Sequence, residues 1–326
     1  MRVELTDDPT VFLARDWTHL VEASPTGTFF HTPAYLKLWW EEFGSGSLVV
    51  AVARDDAGEP VGACCFELLG RTLTFLGGFD VTDYMGPVAI PGAEEALAKE
   101  LLGTVAGEVE WTRADLRGLP EGSPWPAALE AAAVGRGLAV ELLDDGVAPY
   151  IPLPSGFGEY LAALPSKLRH EIRRKQRRLR EEAGAFRVAF STLESLPADM
   201  DRFIELHRQS PGPKGKFMRP GMEIFFRRLA ETFLLPHVFH LAFLEIGGEK
   251  VAGAIGFGFK DTFSLYNSAF DRRFRGLAPG MVLVPDLIAR AIESGRTTFD
   301  LLKGDLDYKY RFGSRPKPVG GLLIRR

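Results

Sequence analysis

Three arginines precede a glycine-containing turn and an apolar helix in the segment DRRFRGLAPGMVLVPDLIARAIESG, residues 271–295. Residues 273–278 fit the spacing [QR]-x-x-G-x-[GA], and the apolar residues after Gly280 recur at helical spacing. Backbone N–H groups and the helix dipole attract an anion to such a helix start, and arginine pairs well with phosphate. The segment predicts an anion site formed by Arg273, Arg275, Gly276, Ala278 and Gly280. The alternative is an ordinary Gly-Pro turn with solvated arginines.

The corresponding part of the first half is acidic. No Lys or Arg occurs in residues 72–98, and Asp80 and Asp83 stand where the second half has arginines. This surface should repel phosphates and would suit a cationic or hydroxyl-bearing acceptor. Asp83 is the candidate for orienting or deprotonating an acceptor amine. The alternative is that Asp83 caps a turn before Gly86, because aspartate is a common turn residue.

Charge also divides the chain as a whole. Residues 1–150 hold 9 Lys or Arg against 24 Asp or Glu, a net charge of −15, while residues 151–326 hold 30 against 19, a net charge of +11. Prolines and glycines interrupt the pattern in residues 144–160. We therefore predict an acidic domain over residues 1–153 and a basic domain over residues 154–326. The segment VAPYIPL, residues 147–153, is a candidate strand at the end of the first domain.

Composition excludes several classes of protein. The chain has 326 residues, of which 46% are hydrophobic and 25% charged, as expected for a globular protein of two domains. The N-terminal segment carries acids where a signal peptide needs an apolar core, and no run of about 18 apolar residues occurs, so we expect a cytoplasmic protein. The adjacent Cys64 and Cys65 predict two buried thiols. The six histidines lack metal-ligand spacing, and we expect no metal.

The two halves show the same order of predicted elements. The first half begins with a predicted helix at residues 32–44, which has Thr32 as its N-cap. After this helix we predict strands at 47–55, 60–69 and 72–77, a helix at 93–107, a strand at 109–116, a helix at 124–137 and a strand at 138–143. The second half gives strands at 237–246, 251–259 and 262–270, a helix at 278–295 and a strand at 298–304. The pattern predicts an α/β (α+β) fold with two copies of one unit, each a mixed, mostly antiparallel sheet flanked by helices.

A basic amphipathic helix is predicted at residues 167–180, KLRHEIRRKQRRLR, which hold eight Lys or Arg residues and one acid. Leu168, Ile172 and Leu179 fall on one face at helical spacing. Such a run of basic residues usually forms a solvent-exposed helix face. The more specific alternatives are that the helix binds a membrane surface or RNA phosphates. The run lacks interleaved aromatic residues for stacking on bases.

The order of elements and the loop at residues 273–280 resemble the GNAT acyltransferases. Residues 264–314 are most similar to the tandem-GNAT acetyltransferases associated with cellulose biosynthesis, which in turn resemble the Fem-type aminoacyl transferases of peptidoglycan cross-bridges. The resemblance extends to residues 29–44 and 164–179. It implies two tandem GNAT-like domains, with the pyrophosphate of acetyl-CoA or another acyl-CoA on the loop and the acceptor on the side of the first domain. Relatives carry an Asp-Tyr pair like Asp83 and Tyr84.

The segment YKYRFG, residues 308–313, resembles the aromatic-Lys-x-x-Phe-Gly segment of the Fem-type enzymes, where the lysine lies against the acyl group of the donor. Lys309 takes that position here. Attack of an amine on a thioester or ester builds an oxyanion, which a fixed ammonium stabilises. Tyr308 and Tyr266 are candidates to protonate the departing thiolate. A solvated surface lysine and core aromatic residues are the alternatives.

The leading interpretation is a cytoplasmic N-acyltransferase, with acyl-CoA in the second domain and an amine acceptor in the cleft against the first. The acceptor would be a small molecule or a cell-envelope precursor. One alternative is a Fem-like aminoacyl-tRNA-dependent transferase, the only interpretation that involves tRNA. The other is a catalytically silent double-GNAT protein that binds anionic lipid or RNA through the basic helix.

Overall fold

The structure is a computed structural model that describes residues 1–13 and 15–326. It contains two compact units, Met1–Val147 together with Lys317–Arg326, and Ala148–Pro316. The sequence predicts two domains that are each continuous along the chain. The structure adds that residues 317–326 belong to the first unit.

The described residues before the second unit form seven strands and four helices. The strands are β1 (Arg2–Thr6), β2 (Ser47–Arg54), β3 (Pro60–Leu69), β4 (Thr72–Phe75), β5 (Val88–Ala89), β6 (Arg113–Pro120) and β7 (Ala139–Val147). The helices are α1 (Arg15–Ala23), α2 (Pro33–Phe43), α3 (Glu94–Glu108) and α4 (Trp125–Val134), with 3-10 turns at Pro9–Leu13 and Phe29–His31.

The rest of the chain adds seven strands and seven helices. The strands are β8 (Tyr150–Pro152), β9 (Phe186–Phe190), β10 (Phe239–Ile246), β11 (Glu249–Phe259), β12 (Thr262–Phe270), β13 (Thr298–Asp300) and β14 (Pro318–Arg325). The helices are α5 (Phe157–Ala163), α6 (Ser166–Ala183), α7 (Leu196–Arg208), α8 (Pro213–Phe217), α9 (Pro220–Phe233), α10 (Gly280–Glu293) and α11 (Asp307–Tyr310), with a 3-10 turn at Arg272–Leu277.

The sheet of the first unit has the strand order β1-β2-β3-β4-β6-β14-β7, and β5 pairs with β3. The pairing is antiparallel except between β4 and β6, which are parallel over Thr72–Thr74. Strand β14 lies between β6 and β7 and is antiparallel to both. The first sheet is therefore completed by residues from the far end of the sequence.

The sheet of the second unit has the order β8-β13-β12-β11-β10-β9. Its one parallel pair among the described residues joins β12 to β13 over Thr262–Ser264. The candidate strand at residues 147–153 does form, as β8, but the prediction that it ends the first domain is wrong. It pairs with β13 of the second sheet, because Ile151 lies opposite Phe299 in the core of that unit.

The predicted fold class is confirmed, since each unit has antiparallel strands followed by a crossover helix and a parallel strand. Strand β11 contacts both α7 and α10, so its residues 251–258 are buried without interruption. Each large apolar side chain buried in this way contributes about 1.5–3 kcal/mol. Among the described residues, no helix is both long and apolar enough to cross a bilayer.

Local sequence signals predicted the ends of most helices and strands to within a few residues of their observed positions. Helix α2 has Thr32 as its N-cap and Gly44 at its end, as predicted. The strand predicted at residue 109 begins instead at Arg113, because α3 continues to Glu108 and Val109 closes it through a hydrogen bond from its N–H to the carbonyl of Val105. Both cysteines are buried free thiols, and burial raises the pKa of each.

Candidate functional site

The predicted anion loop lies between β12 and α10. The 3-10 turn Arg272–Leu277 begins at Asp271, whose carboxylate accepts the N–H of Arg273 at 2.9 Å. It ends at Ala278, which has left-handed backbone angles of φ 51° and ψ 57°. Such a conformation is unfavourable for alanine and is often found at functional sites. Helix α10 then starts at Gly280, so the loop leads directly to a helix N-terminus.

Two glycines leave open space beside this loop. A Cβ atom added to Gly276 or Gly280 would meet no heavy atom within 4 Å, and neither residue needs a positive φ. The protein's own packing therefore does not require glycine at either position. Glycine would instead permit another molecule to approach the backbone closely. The N-terminal turn of α10 contains no acidic residue, and Arg275 beside it is exposed, so the site is suited to an anion.

Arg273 has different surroundings from Arg275. Its guanidinium donates to Asp271, with Nη2 at 2.7 Å from Oδ2, and forms an ion pair with Glu249. Arg202 also donates to Asp271, at 3.4 Å. The hydrogen bonds from Arg273 lower the pKa of Asp271 to about 2. The charge of Arg273 is thus offset by two carboxylates, and its role as an anion ligand stays a prediction.

The two parallel strands β12 and β13 pair over only the first part of β12. Pairing between β12 and β13 ends at Ser264, although β12 continues to Phe270. Between β11 and β12, Ile255 lies opposite Asn267 and Gly256 opposite Leu265, so Tyr266 is the extra residue of a β-bulge in β12. Bulges re-aim side chains and are common next to active sites. Sequence reasoning missed this bulge, for which the glycines in GAIGFGF of β11 were an available signal.

The ring of Tyr266 is half-buried and packs against Phe226 and Phe257, with centroid distances of 5.3 and 5.6 Å. Tyr266 therefore belongs to an aromatic cluster and also marks the bulge. Its predicted role as a proton donor stays a prediction.

Lys309 is buried, with only 3% of its surface exposed. Its ammonium donates to the carbonyl oxygens of Leu302 and Lys303, each at 2.8 Å. Leu302 has a left-handed φ of 59°, and both carbonyls belong to the segment that follows β13. The alternative of a solvated surface lysine is therefore wrong. A fixed positive charge lies where the segment after β13 leaves the sheet.

Tyr308 precedes Lys309 on the short helix α11 and is 39% exposed. Desolvation around its hydroxyl nevertheless raises the pKa of the phenol, so the group is neutral and protonated near pH 7. A neutral phenol can donate a proton or a hydrogen bond. This chemistry is compatible with the predicted role of Tyr308.

Asp83 lies in the first unit, whereas the other predicted site residues lie in the second. It is half-buried, and its neighbour Tyr84 is buried beneath the ammonium of Lys317, 4.8 Å from the ring centroid. Burial, and to a lesser extent the charge of Asp83, raises the pKa of Tyr35.

The first unit lacks the features of the anion loop. Helix α3, the counterpart of α10, begins with Glu94 and Glu95, which disfavour an anion at its N-terminus. The segment after β4 also forms a backbone hydrogen bond with β6, in which the N–H of Met85 donates to the carbonyl of Gly118 at 3.0 Å. The two units therefore have different chemistry at equivalent places in the fold.

The basic helix α6 packs against α10 and the 3-10 turn Arg272–Leu277. It buries Ile172 and Leu179, as predicted. Arg177 and Arg178 pair with acids one turn further along the helix. The other six Lys and Arg residues of α6 form no ion pair with any described residue: Lys167, Arg169, Arg173, Arg174, Lys175 and Arg180. Within residues 1–13 and 15–326, no group of three or more His, Cys, Asp or Glu could hold a metal ion.

Comparison with protein families gives a match in the second unit. Residues 166–310 match the acetyltransferase (GNAT) domain. The matched residues include the basic helix, the bulged strand, the predicted anion loop and Lys309. No curated protein matches the sequence.

Solved structures resemble the whole chain at low sequence identity. A conserved protein of unknown function from Bacteroides thetaiotaomicron aligns with a TM-score of 0.68 and 15% identity over 99% of this chain and 100% of that one. FemX aligns with a TM-score of 0.69 and 12% identity over 99% and 97%. L-PGS from Bacillus licheniformis aligns with a TM-score of 0.53 and 13% identity over 89% and 90%. These similarities show the fold, and the predicted tandem GNAT-like fold is confirmed.

Proposed function

We propose that the protein is an N-acyltransferase that uses an acyl-CoA, such as acetyl-CoA, to acylate an amine. The observation that carries this proposal is the loop before α10 inside the GNAT domain, where two glycines leave open space at a helix N-terminus. Pyrophosphate carries negative charge and oxygen acceptors, which backbone N–H groups and the N-terminus of a helix bind favourably. Gly276, Ala278 and Gly280 would supply the backbone, and Arg275 an exposed guanidinium.

Lys309 would stabilise the oxyanion that forms when an amine attacks the thioester. The support is its burial and its attachment to two carbonyls, which hold a positive charge in place before the reaction. Tyr308 would protonate the departing thiolate, since its phenol is neutral near pH 7. Tyr266 is the second candidate for that proton transfer, because it lies at the bulge of β12.

The acceptor would be recognised by the acidic first unit. Residues 1–150 have a net charge of −15, and Asp83 is a half-buried carboxylate in that unit. A carboxylate that orients or deprotonates an amine typically contributes about 100-fold or more to the rate. A small amine or an amine-bearing precursor of a cell-envelope polysaccharide would suit this charge.

Coenzyme A binding by calorimetry tests the donor site. Arg275→Ala removes charge-assisted hydrogen bonds worth about 1.5–3 kcal/mol, so affinity should fall roughly 10- to 100-fold. Gly276→Val should weaken binding by a steric clash with the ligand while leaving stability unchanged, since nothing in the chain lies within 4 Å. The matched control is Gly107→Val, at an equally open glycine of α3 in the first unit. Normal affinity in both loop variants would refute the site.

A Fem-like transferase that takes its acyl group from aminoacyl-tRNA is the second candidate. Six Lys and Arg residues of α6 without ion pairs, and the fold shared with FemX, favour it. Transfer activity that ribonuclease abolishes would select this donor, and activity that survives ribonuclease would select acyl-CoA. A protein that binds coenzyme A but releases no thiol with any amine would be a binding protein without catalysis.

A further inference from the structure

Lys214 lies against the same strand that carries the bulge. Its ammonium donates to the carbonyl of Ser268 at 2.5 Å, two residues along β12 from Tyr266. The lysine belongs to the short helix α8, which also contributes Phe217 to the neighbouring aromatic cluster, 6.1 Å from Phe226 between ring centroids. The proposed donor and acceptor roles do not use this lysine.

The surroundings of Lys214 disfavour its charged form. No carboxylate among the described residues pairs with it. A titratable group that interacts with it from another element is His207 of α7, a fully buried imidazole flanked by Phe203 and Phe217 at 6.0 and 5.8 Å between ring centroids. Desolvation of the ammonium end lowers the pKa of Lys214, although other parts of the residue are exposed. A larger fraction of this amine is therefore neutral than of an ordinary lysine.

The position of Lys214 follows the course that a bound donor would take. Strand β12 leads directly into the anion loop, and its pairing with β13 ends at Ser264. An extended pantetheine arm with its pyrophosphate on the loop could run back along this open edge and hydrogen-bond to it. The four residues from Phe270 back to Tyr266 span about 13 Å at ~3.3 Å per residue, which is comparable to such an arm. The thioester end of the arm would then lie near Tyr266, about 7 Å along the strand from Ser268 and the amine bonded to it, a distance that a flexible lysine side chain can cross.

We infer that Lys214 is a self-acylation site, at which the protein transfers the acyl group of its own bound acyl-CoA to Nζ. This inference rests on the proposed function, because it needs the same donor. The neutral amine keeps one N–H on the Ser268 carbonyl, which directs its lone pair away from that oxygen. Nζ attacks the thioester carbon, the C–N bond forms and the C–S bond breaks. Coenzyme A leaves with the proton that nitrogen loses, and an amide remains on Lys214.

Acylation would change the surface as well as the residue. An acylated Nζ has no charge and retains one N–H, so it can still donate to Ser268 but no longer acts as a cation beside β12. The modification would therefore remove a positive charge from the donor strand without removing its hydrogen bond. Lys214→Gln imitates the neutral product and Lys214→Arg preserves the charge.

The test is site-resolved mass spectrometry of the purified full chain incubated with acetyl-CoA. Lys214 should gain one acetyl group at least about a hundredfold faster than Lys216, because a bound donor raises the local concentration by far more than that factor. Lys216 is the matched control, since it is an exposed lysine on the same helix. Lys214→Arg should abolish the fast modification, and Lys216→Arg should leave it intact.

Two further measurements separate this inference from the proposed function. Arg275→Ala should slow labelling of Lys214 in proportion to its weakened coenzyme A binding and leave Lys216 unchanged. Coenzyme A binding by calorimetry with equal labelling of the two lysines would overturn the self-acylation site alone. Failure to bind coenzyme A at all would overturn the proposed function and, with it, this inference.

Discussion

Lys309→Met is the most informative substitution, because Lys309 has two separable roles. Methionine retains the length of the side chain but cannot donate hydrogen bonds, so the carbonyls of Leu302 and Lys303 lose the ammonium. An unsatisfied buried carbonyl costs about 1–3 kcal/mol, and the second of these carbonyls is only partly buried, so the variant should lose about 2–4 kcal/mol of stability. For a unit of this size, that loss corresponds to a fall in Tm of roughly 4–16 °C.

Catalysis adds a second effect that stability does not explain. Loss of an oxyanion donor costs about 3 kcal/mol in the transition state, or roughly a hundredfold in kcat. The assay measures turnover well below the Tm of the variant, together with coenzyme A affinity by calorimetry. We expect kcat to fall about a hundredfold with affinity nearly unchanged, since the donor acts mainly in the transition state.

Ser314→Ala is the matched control for this experiment. The Ser314 hydroxyl donates to the backbone carbonyl of Lys309 at 3.1 Å, so its removal perturbs the same segment without touching the ammonium. This variant should lose a little stability and retain its turnover. If Lys309→Met also retains normal turnover and only its Tm falls, the reasoning is refuted and Lys309 is a structural residue.

Two further predictions concern an acid and a buried base. Asp83→Asn should lower turnover of the amine about 100-fold or more while coenzyme A affinity stays constant. Normal turnover at every acceptor concentration would show that Asp83 only caps a turn. His207 has its pKa lowered to about 4 by burial and by the Lys214 ammonium, with partial compensation from Asn267. Because the unfolded histidine binds its proton near pH 6.5, folding should lose up to about 3 kcal/mol as pH falls from 6.5 to 4. Urea titrations of His207→Leu should show a weaker pH dependence over this range, whereas the exposed control His19→Leu should behave like the parent.

Local sequence signals were sufficient to predict the elements around the candidate site. The start of α10, the loop before it and the basic helix α6 follow from helical periodicity, glycine placement and charge. These features depend on residues close together in the chain. The same holds for α2, whose N-cap and final glycine are both present in the sequence.

Contacts between distant residues could not be predicted in this way. Arg273 and Arg275 look equivalent in sequence, yet Glu249 pairs with Arg273 and not with Arg275, because the hairpin between β10 and β11 places it beside Arg273. The burial of Lys309 depends on the left-handed turn at Leu302, for which a leucine gives no signal. The bulge at Tyr266 is a property of the register between two strands.

Strand β14 determines the order in which the two units can be completed during synthesis. Its residues pair with β6 and β7, which are translated much earlier. During synthesis, the sheet of the first unit therefore lacks the strand between β6 and β7 until every residue of the second unit has been translated. The part of the protein that is translated first would finish folding last, and β6 and β7 would present exposed edges to chaperones until residues 317–326 emerge.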